Sequence, residues 1–286
     1  MLQALLESIA CMQQRSDYCL RIVVVDNDHA ASARSVVDGF SSQSQIPVTY
    51  AVEPRTGVSQ ARNRALELCQ GEYLAFVDDD EVVEPGWLNA LVDTARLYMA
   101  DVVFGPVLSV LPPQTPPWIR KAKLFDRPRF PTGTVRQTGG AGNVLIARAF
   151  LHKIGRGFDA AFGLTGAEDT EFFSHIARVG GRQVWCDEAV AWETVTADRV
   201  TLRWLVRRNF MNGMLHGRIH LPTLSATKRL QTMAGCLCGL VVLGLATPLA
   251  LFAGRHVAAR SLMKLARCLG RLFSFHDNFR TNKVGT

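Results

Sequence analysis

The chain has 286 residues, 48% apolar and 20% charged, a length that suits one α/β catalytic domain with an annex and a composition that excludes a disordered, collagen-like or coiled-coil chain. Its formal charge of +7 is unevenly divided: residues 199–286 hold 14 Lys/Arg and one acid, whereas residues 1–198 hold 18 Lys/Arg and 24 Asp/Glu. The excess basic residues flank an apolar run and lack the aromatic or groove-reading context of a nucleic-acid site, which argues against nucleic acid as a partner.

Leu2, Leu5, Leu6 and Ile9 form one helical stripe, so the chain opens on a helix. In an α/β alternation a strand would precede it, so either a start upstream by one strand and its loop or an incomplete domain is expected. The opening residues, interrupted by Glu7, do not read as a secretory signal. Short β-branched and aromatic runs at 21–26, 48–52, 72–78 and 102–110 predict strands. A helix begins near Ser59, its predicted N-cap, and another runs over 85–99. Residues 112–138 read as a Pro-rich basic loop. The pattern predicts an α/β class with a Rossmann-like, mainly parallel sheet and flanking helices.

Two predicted strands end in acids, Asp26-Asn27-Asp28 and Asp78-Asp79-Asp80-Glu81, where open α/β sheets bind ligands. Asp78 and Asp80, two apart, could both reach a hard divalent ion that also holds phosphates; a solvated acidic turn explains the run equally well. Further on, Thr165 and Glu168 have capping-box spacing. Asp169 then falls in the first helical turn, where the dipole favours the ionised form suited to accepting a proton, or simply a helix-end charge. Arg62, early in its helix, fits either an anion clamp or an ion pair with Glu67 or another acid.

These pieces, in this order, resemble the family 2 glycosyltransferases, inverting sugar-nucleotide enzymes of the GT-A fold. The residues that carry the resemblance are Val23-Val-Val-Asp26-Asn27-Asp28, Gly57-Val-Ser-Gln-Ala61-Arg62-Asn63, Gly71-Glu-Tyr-Leu-Ala-Phe-Val-Asp78-Asp79-Asp80, Gly142-Asn143 and Glu168-Asp169. The run from Phe76 to Glu81, with Phe104-Gly-Pro-Val107 and Phe158-Asp159, is similar to the branch that builds bacterial exopolysaccharides, including succinoglycan-type glucosyltransferases. The resemblance implies that Asp26 partners the nucleotide base, usually uracil, and that Arg62, Asp78 and Asp79 lie at the nucleotide. It makes Asp78 and Asp80 the D-x-D pair, with Asp80 on Mg²⁺ or Mn²⁺, and Asp169 the general base. Glu168, Asn143 and Glu193 are implied as supporting residues. The segment 203–208 is not the Gln-x-x-Arg-Trp motif of processive synthases, so single-sugar transfer is expected.

Residues 199–217 predict a helix whose Arg203, Arg207 and Arg208 suit a diphosphate, a lipid headgroup or a solvated face. Residues 232–254 carry no charge over 23 positions, long enough to cross a bilayer, but Pro248 and basic residues on both sides fit a re-entrant hairpin as well. Beyond them, apolar residues from Val257 to Phe273 lie opposite Arg260, Lys264, Arg267 and Arg271 at helical spacing, a pattern for an anionic membrane surface. The expected organisation is a catalytic domain over 1–220 and a membrane-associated helical tail over 221–286. The seven scattered cysteines read as small core residues in a reducing compartment.

The function expected is transfer of one hexose from a UDP-sugar to a lipid-linked or saccharide acceptor at the cytoplasmic face of the inner membrane. Two other classes are a nucleotidyltransferase on a similar sheet and an inactive membrane-bound interaction protein.

Overall fold

The computed structural model describes residues 1–281 apart from Gln14, Leu164 and Thr165, so the predicted Thr165 cap lies outside the described residues. The chain forms two compact units, Met1–Ser109 with Arg127–Thr194, and Val110–Asp126 with Val195–Thr286.

In the first unit, helix α1 (Leu2–Ala10) precedes β1 (Ile22–Asp26), α2 (Arg34–Ser41), β2 (Val48–Val52), α3 (Val58–Leu68), β3 (Tyr73–Val77), β4 (Glu81–Val83) and α4 (Trp87–Tyr98). The predicted strand over 102–110 is two strands, β5 (Val102–Phe104) and β6 (Val107–Val110), parted at Gly105-Pro106, where Gly105 N–H donates to Asn143 O. Helix α5 (Pro117–Ala122) belongs to the second unit and lies within the predicted loop; Pro117 opens it, where a missing N–H costs nothing. Back in the first unit come β7 (Asn143–Ala147), α6 (Arg148–Ile154), α7 (Glu168–Arg178), β8 (Gln183–Trp185) and β9 (Ala191–Thr194).

The sheet is mixed. β1 and β2 pair in parallel, as do β5 and β8, but β7 enters between β3 and β5 antiparallel to both. Alternation along these strands sets two cores. Val103, Leu145 and Val184 face α1 and α4 through Leu5, Leu6, Trp87 and Leu91, whereas Phe104, Val144 and Ile146 share a cluster with Phe158, Phe172, Phe173 and Ile176. In the second cluster Phe158 stacks on Phe172 at 4.2 Å and Phe104 meets Phe173 edge-on at 4.8 Å. This packing fixes α7 against the sheet and brings its N-terminal turn to the end of β3.

Ser59 is not a cap. Its neighbour Gly57, at φ +131°, takes that place, while the Ser59 side chain is buried and donates to Asp159 O at 2.9 Å. The cysteines are all free, and only Cys186 and Cys236 are buried; Cys11, Cys19 and Cys238 are exposed, contrary to the core reading.

The second unit contains, after α5, helices α8 (Leu202–His220), α9 (Ala226–Ala250) and α10 (Arg255–Thr281). Thr201 caps α8 by accepting from Trp204 N–H, and Ser225 caps α9 from Lys228 N–H. Helix α9, with mean hydropathy 2.0, is long and apolar enough to cross a membrane; Pro248 falls in its last turn, and residues 251–254 turn the chain into α10.

Candidate active site

At the end of β1 the Asp26 carboxylate is buried and internally satisfied. Its Oδ2 accepts from Ala33 N–H and the Tyr50 hydroxyl at 2.9 and 2.8 Å, and its Oδ1 from Asp28 N–H at 3.0 Å. Burial alone would raise its pKa; the three hydrogen bonds outweigh burial and hold it below the usual Asp value. Asn27 staples the following loop: its Nδ2 donates to Glu53 O and Arg55 O, and its Oδ1 accepts from Gly57 N–H. Glu53 accepts from the side chain and N–H of Arg55, which hold its carboxyl at about 2.

The second acidic cluster sits where β3 turns into β4. Asp79 is exposed and Asp78 and Asp80 are partly so, but Glu81 is 2% exposed. Glu81 stands directly opposite Glu193 in the β4–β9 register, a like-charge pairing that a sheet disfavours. Two devices relieve it. Arg127 donates to Glu193 Oε2, and burial, reinforced by Asp78, pushes the Glu81 carboxyl up to about 9 against a counter-pull from Arg127. Glu81 is therefore protonated at neutral pH, and its Oε2 is buried with no hydrogen-bond partner. Gly142 makes room for this crowding: a Cβ there would lie 2.8 Å from Asp78 Oδ2 and 2.9 Å from Glu81 Oε1.

Arg62 joins this cluster to α7. Its Nη1 donates to Glu168 Oε1 at 2.5 Å and its Nη2 to Asp78 Oδ1 at 3.3 Å, with the guanidinium over the Phe158 ring. Glu67 pairs instead with Arg64 at 2.8 Å. Burial pushes the Glu168 carboxyl up, opposed by its own backbone N–H and by Arg62. Glu168 is thus an ion-pair partner, not a cap, and its helix has Ala167 at the N-cap with no side-chain bond. Asp169, next along, accepts from Thr170 N–H and Oγ1 at 2.6 and 3.2 Å through Oδ1, while its Oδ2 lies on the Gly140 side. Asn63 holds the adjoining loop by exchanging two hydrogen bonds with the Phe158 backbone.

The structure thus brings Arg62, Asp78, Glu168 and Asp169 together, with Asp80, Glu81 and Glu193 beside Asp78. Asn143 stands apart: its Oδ1 accepts from Trp87 Nε1 and its Nδ2 donates to Pro106 O and Ala189 O, so both of its N–H groups are used inside the fold. Arg207 and Arg208 belong to α8 of the second unit, where Arg208 stacks over Trp204. Sequence reasoning missed Arg127 and the special position of Glu81. For Glu81 a signal existed, because Val83 two residues on is a core residue and period two puts both on one face.

Similarity to known proteins extends along the chain. The solved structures of S. aureus TarS 1-349 in complex with UDP and of the mannosyltransferase PcManGT from Pyrobaculum calidifontis in complex with GDP-Man and Mn²⁺ share the fold. Their TM-scores are 0.54 and 0.60 at 16% and 19% identity, over 97% and 95% of this chain and 88% and 83% of theirs. The succinoglycan biosynthesis protein ExoM of Rhizobium meliloti is 37% identical over 75% of this chain and 69% of its own length. A glucosyl-dolichyl phosphate glucuronosyltransferase of Haloferax volcanii is 27% identical over 67% of this chain and 64% of its own. The family model for glycosyl transferase family 2 matches residues 1–155, more than half the chain. These similarities set aside the nucleotidyltransferase alternative: with its acidic strand ends and its α7 helix on a GT-A sheet, the chain belongs to glycosyl transferase family 2.

Proposed function

We propose that the chain is an inverting transferase that moves a single hexose from a UDP-sugar to a lipid-linked or saccharide acceptor, with Mg²⁺ or Mn²⁺, in cell-surface polysaccharide synthesis. The observation that carries the reading is the Arg62 bridge, by which one guanidinium ties Asp78 of the donor-side acids to the Glu168-Asp169 helix start. In this reading Asp169 accepts the proton of the acceptor hydroxyl. The hydroxyl oxygen then attacks the anomeric carbon as the bond from that carbon to the UDP oxygen breaks, so the sugar inverts and UDP leaves with the bonding pair. Asp26, Arg62, Asp78 and Asp79 serve the nucleotide and Asp80 the metal. Asp26 acts through the shape its hydrogen bonds give the β1 turn as much as through its carboxylate.

The acids fit a divalent cation. Glu81 Oε2 is a buried acceptor with no partner, and Asp78, Asp80 and Glu193 add negative charge around it. Among the described residues no three acidic, His or Cys side chains converge to hold an ion alone; Mg²⁺ is ordinarily held by one or two carboxylates together with substrate phosphates. When bound, the ion offsets charge on the leaving diphosphate. The relatives' names favour the setting: one acts in succinoglycan biosynthesis, another on a glucosyl-dolichyl phosphate. Membrane association, through α9, is read at the cytoplasmic face of the inner membrane.

The test is nucleotide release from UDP- and GDP-sugars with Mn²⁺ and membrane extract as acceptor. UDP release is expected, and Asp169→Asn is expected to lower it by at least about 10²-fold, the low end of a general base's contribution. No nucleotide release from any common UDP- or GDP-sugar would refute the reading, release that Asp169→Asn leaves unchanged would refute Asp169 as the base, and release of GDP alone would refute the donor.

A further inference from the structure

Resting on the membrane reading above, we propose that α9 does not cross the bilayer but lies in the plane of one leaflet, as the apolar face of a helical platform for anionic lipid. The helix is apolar by composition, yet only 6% of its most apolar 18-residue stretch is buried, and Leu237, Val241, Val242, Leu245 and Leu249, with Phe252 just past its end, are exposed. Residues 230–254 contain no charge, so nothing on this face resists contact with acyl chains. At 25 residues α9 is about 37 Å long, so its length permits crossing and does not decide the matter.

Its partners decide. Helix α10 returns antiparallel along α9, with Thr247 and Ser261 hydroxyls 2.8 Å apart, Gly239 against Cys268 and Gly244 against Leu265. Helix α10 is in turn pressed on α8 backbone to backbone: a Cβ on Gly213 would lie 2.1 Å from Arg267 O, and one on Gly270 1.9 Å from Phe210 O. Arg260 donates to Ala122 O and Lys121 O at the end of α5, and Arg267 to Asn209 Oδ1. A crossing α9 would therefore carry Arg260, Lys264 and Arg267 into the hydrocarbon core at its own depth, where each charge is costly. Lying flat, α9 keeps every one of these contacts and buries only its exposed apolar face. The unit's 17 Lys/Arg against three acids complement anionic headgroups and supply the second attraction that an interfacial helix needs.

The experiment uses the full chain with vesicles of phosphatidylcholine containing phosphatidylglycerol, adding one Trp at a time as Leu230→Trp, Val241→Trp or Leu249→Trp. The added emission is quenched with lipids brominated at shallow or deep acyl positions. Equal, shallow depths at all three positions are expected, as is at least tenfold weaker partition into vesicles of phosphatidylcholine alone. The double variant Val241→Asp/Leu245→Asp, both on the exposed face, should lower partition at least tenfold with unchanged circular dichroism. A deep Val241 flanked by shallow Leu230 and Leu249 would overturn the flat placement and leave membrane association standing. Equal partition into neutral vesicles would overturn the anionic lipid. A chain that stays in the supernatant, or self-associates through α9 without taking up lipid, would overturn both this proposal and the membrane reading.

Discussion

Replacing Glu81 with Gln isolates the proton that the β4–β9 pair stores. In the folded chain Glu81 titrates at about 9, against an ordinary Glu value of 4.5, because burial and then Asp78 disfavour its carboxylate. Between those two values the folded state binds a proton that the unfolded state releases, so this group's contribution to stability is greatest below about 4.5 and is lost as pH rises toward about 9. The slope is about 1.4 kcal/mol per pH unit in that window. At pH 7, protonating a carboxyl of ordinary pKa costs about 3 kcal/mol, and Gln has the same shape without that cost. E81Q is therefore expected to be more stable than the parent at pH 7 by up to about 3 kcal/mol, and nearly equal to it at pH 4.5.

The assay is urea denaturation of the full chain in mild detergent, followed by tryptophan fluorescence at intervals from pH 5 to 9. The difference between E81Q and the parent at each pH cancels the other titrating groups, provided the denaturant slope is the same in both. A difference that grows with pH supports the protonated Glu81. A difference that is flat from pH 5 to 9, or an E81Q protein destabilised throughout as if an ion pair had been cut, would refute the reasoning.

Three further outcomes follow from the same geometry. Arg62→Ala leaves the buried Glu168 without its cation and should cost about 3–5 kcal/mol, partly restored by adding Glu168→Gln; a loss below about 0.5 kcal/mol in denaturation would mean that the bridge is not formed in solution. Gly142→Ala drives a Cβ into Asp78 and Glu81, so the Mn²⁺ concentration for half-maximal activity should rise several-fold, measured by metal titration of UDP release. Gly270→Val should part α10 from α8 and lower the melting temperature of the second unit, whereas Gly235→Ala, which meets nothing within 4 Å, should not; equal effects in a thermal scan would argue against the close seam.

The elements that were legible in the sequence are those with one strong local signal. The stripe Leu2-Leu5-Leu6-Ile9, the run before Asp26 and the uncharged stretch around Val241 each carry their period or length in a few adjacent residues, and α1, β1 and α9 stand there. The ends of β3 and α7 were found as acids with candidate roles, because strand-terminal Asp and first-turn Asp are local features. What remained hidden was set by partners distant in sequence. Ser59 has the composition of a cap, yet Asp159, 100 residues on, takes its hydroxyl. Arg62 reads as an anion clamp or as one half of an ion pair, and only the fold supplies the acid, Glu168, 106 residues on, that takes one arm. The antiparallel entry of β7 between β3 and β5 has no composition of its own, since a buried Val/Leu/Ile run reads alike in either direction.

The Glu81–Glu193 pair is the clearest place where local rules and the fold disagree. Two acids directly opposite in an antiparallel ladder repel, and burying a carboxyl oxygen, Glu81 Oε2, without a partner adds a desolvation cost. Apolar residues of similar volume at both positions would remove these costs, as replacements of buried ionic groups elsewhere do. Instead the chain recruits Arg127 from another segment and a proton from solvent to make the arrangement tolerable. Violations of this kind concentrate where a site must meet a ligand. A cation held with a diphosphate beside Asp78 and Asp80 would supply positive charge there and favour the Glu81 carboxylate over its protonated form. In the proposed site the Glu81 proton and Arg127 supply the positive charge while no cation is bound, and E81Q, which has no proton to give up, separates the part of Glu81 from that of Asp78 and Asp80.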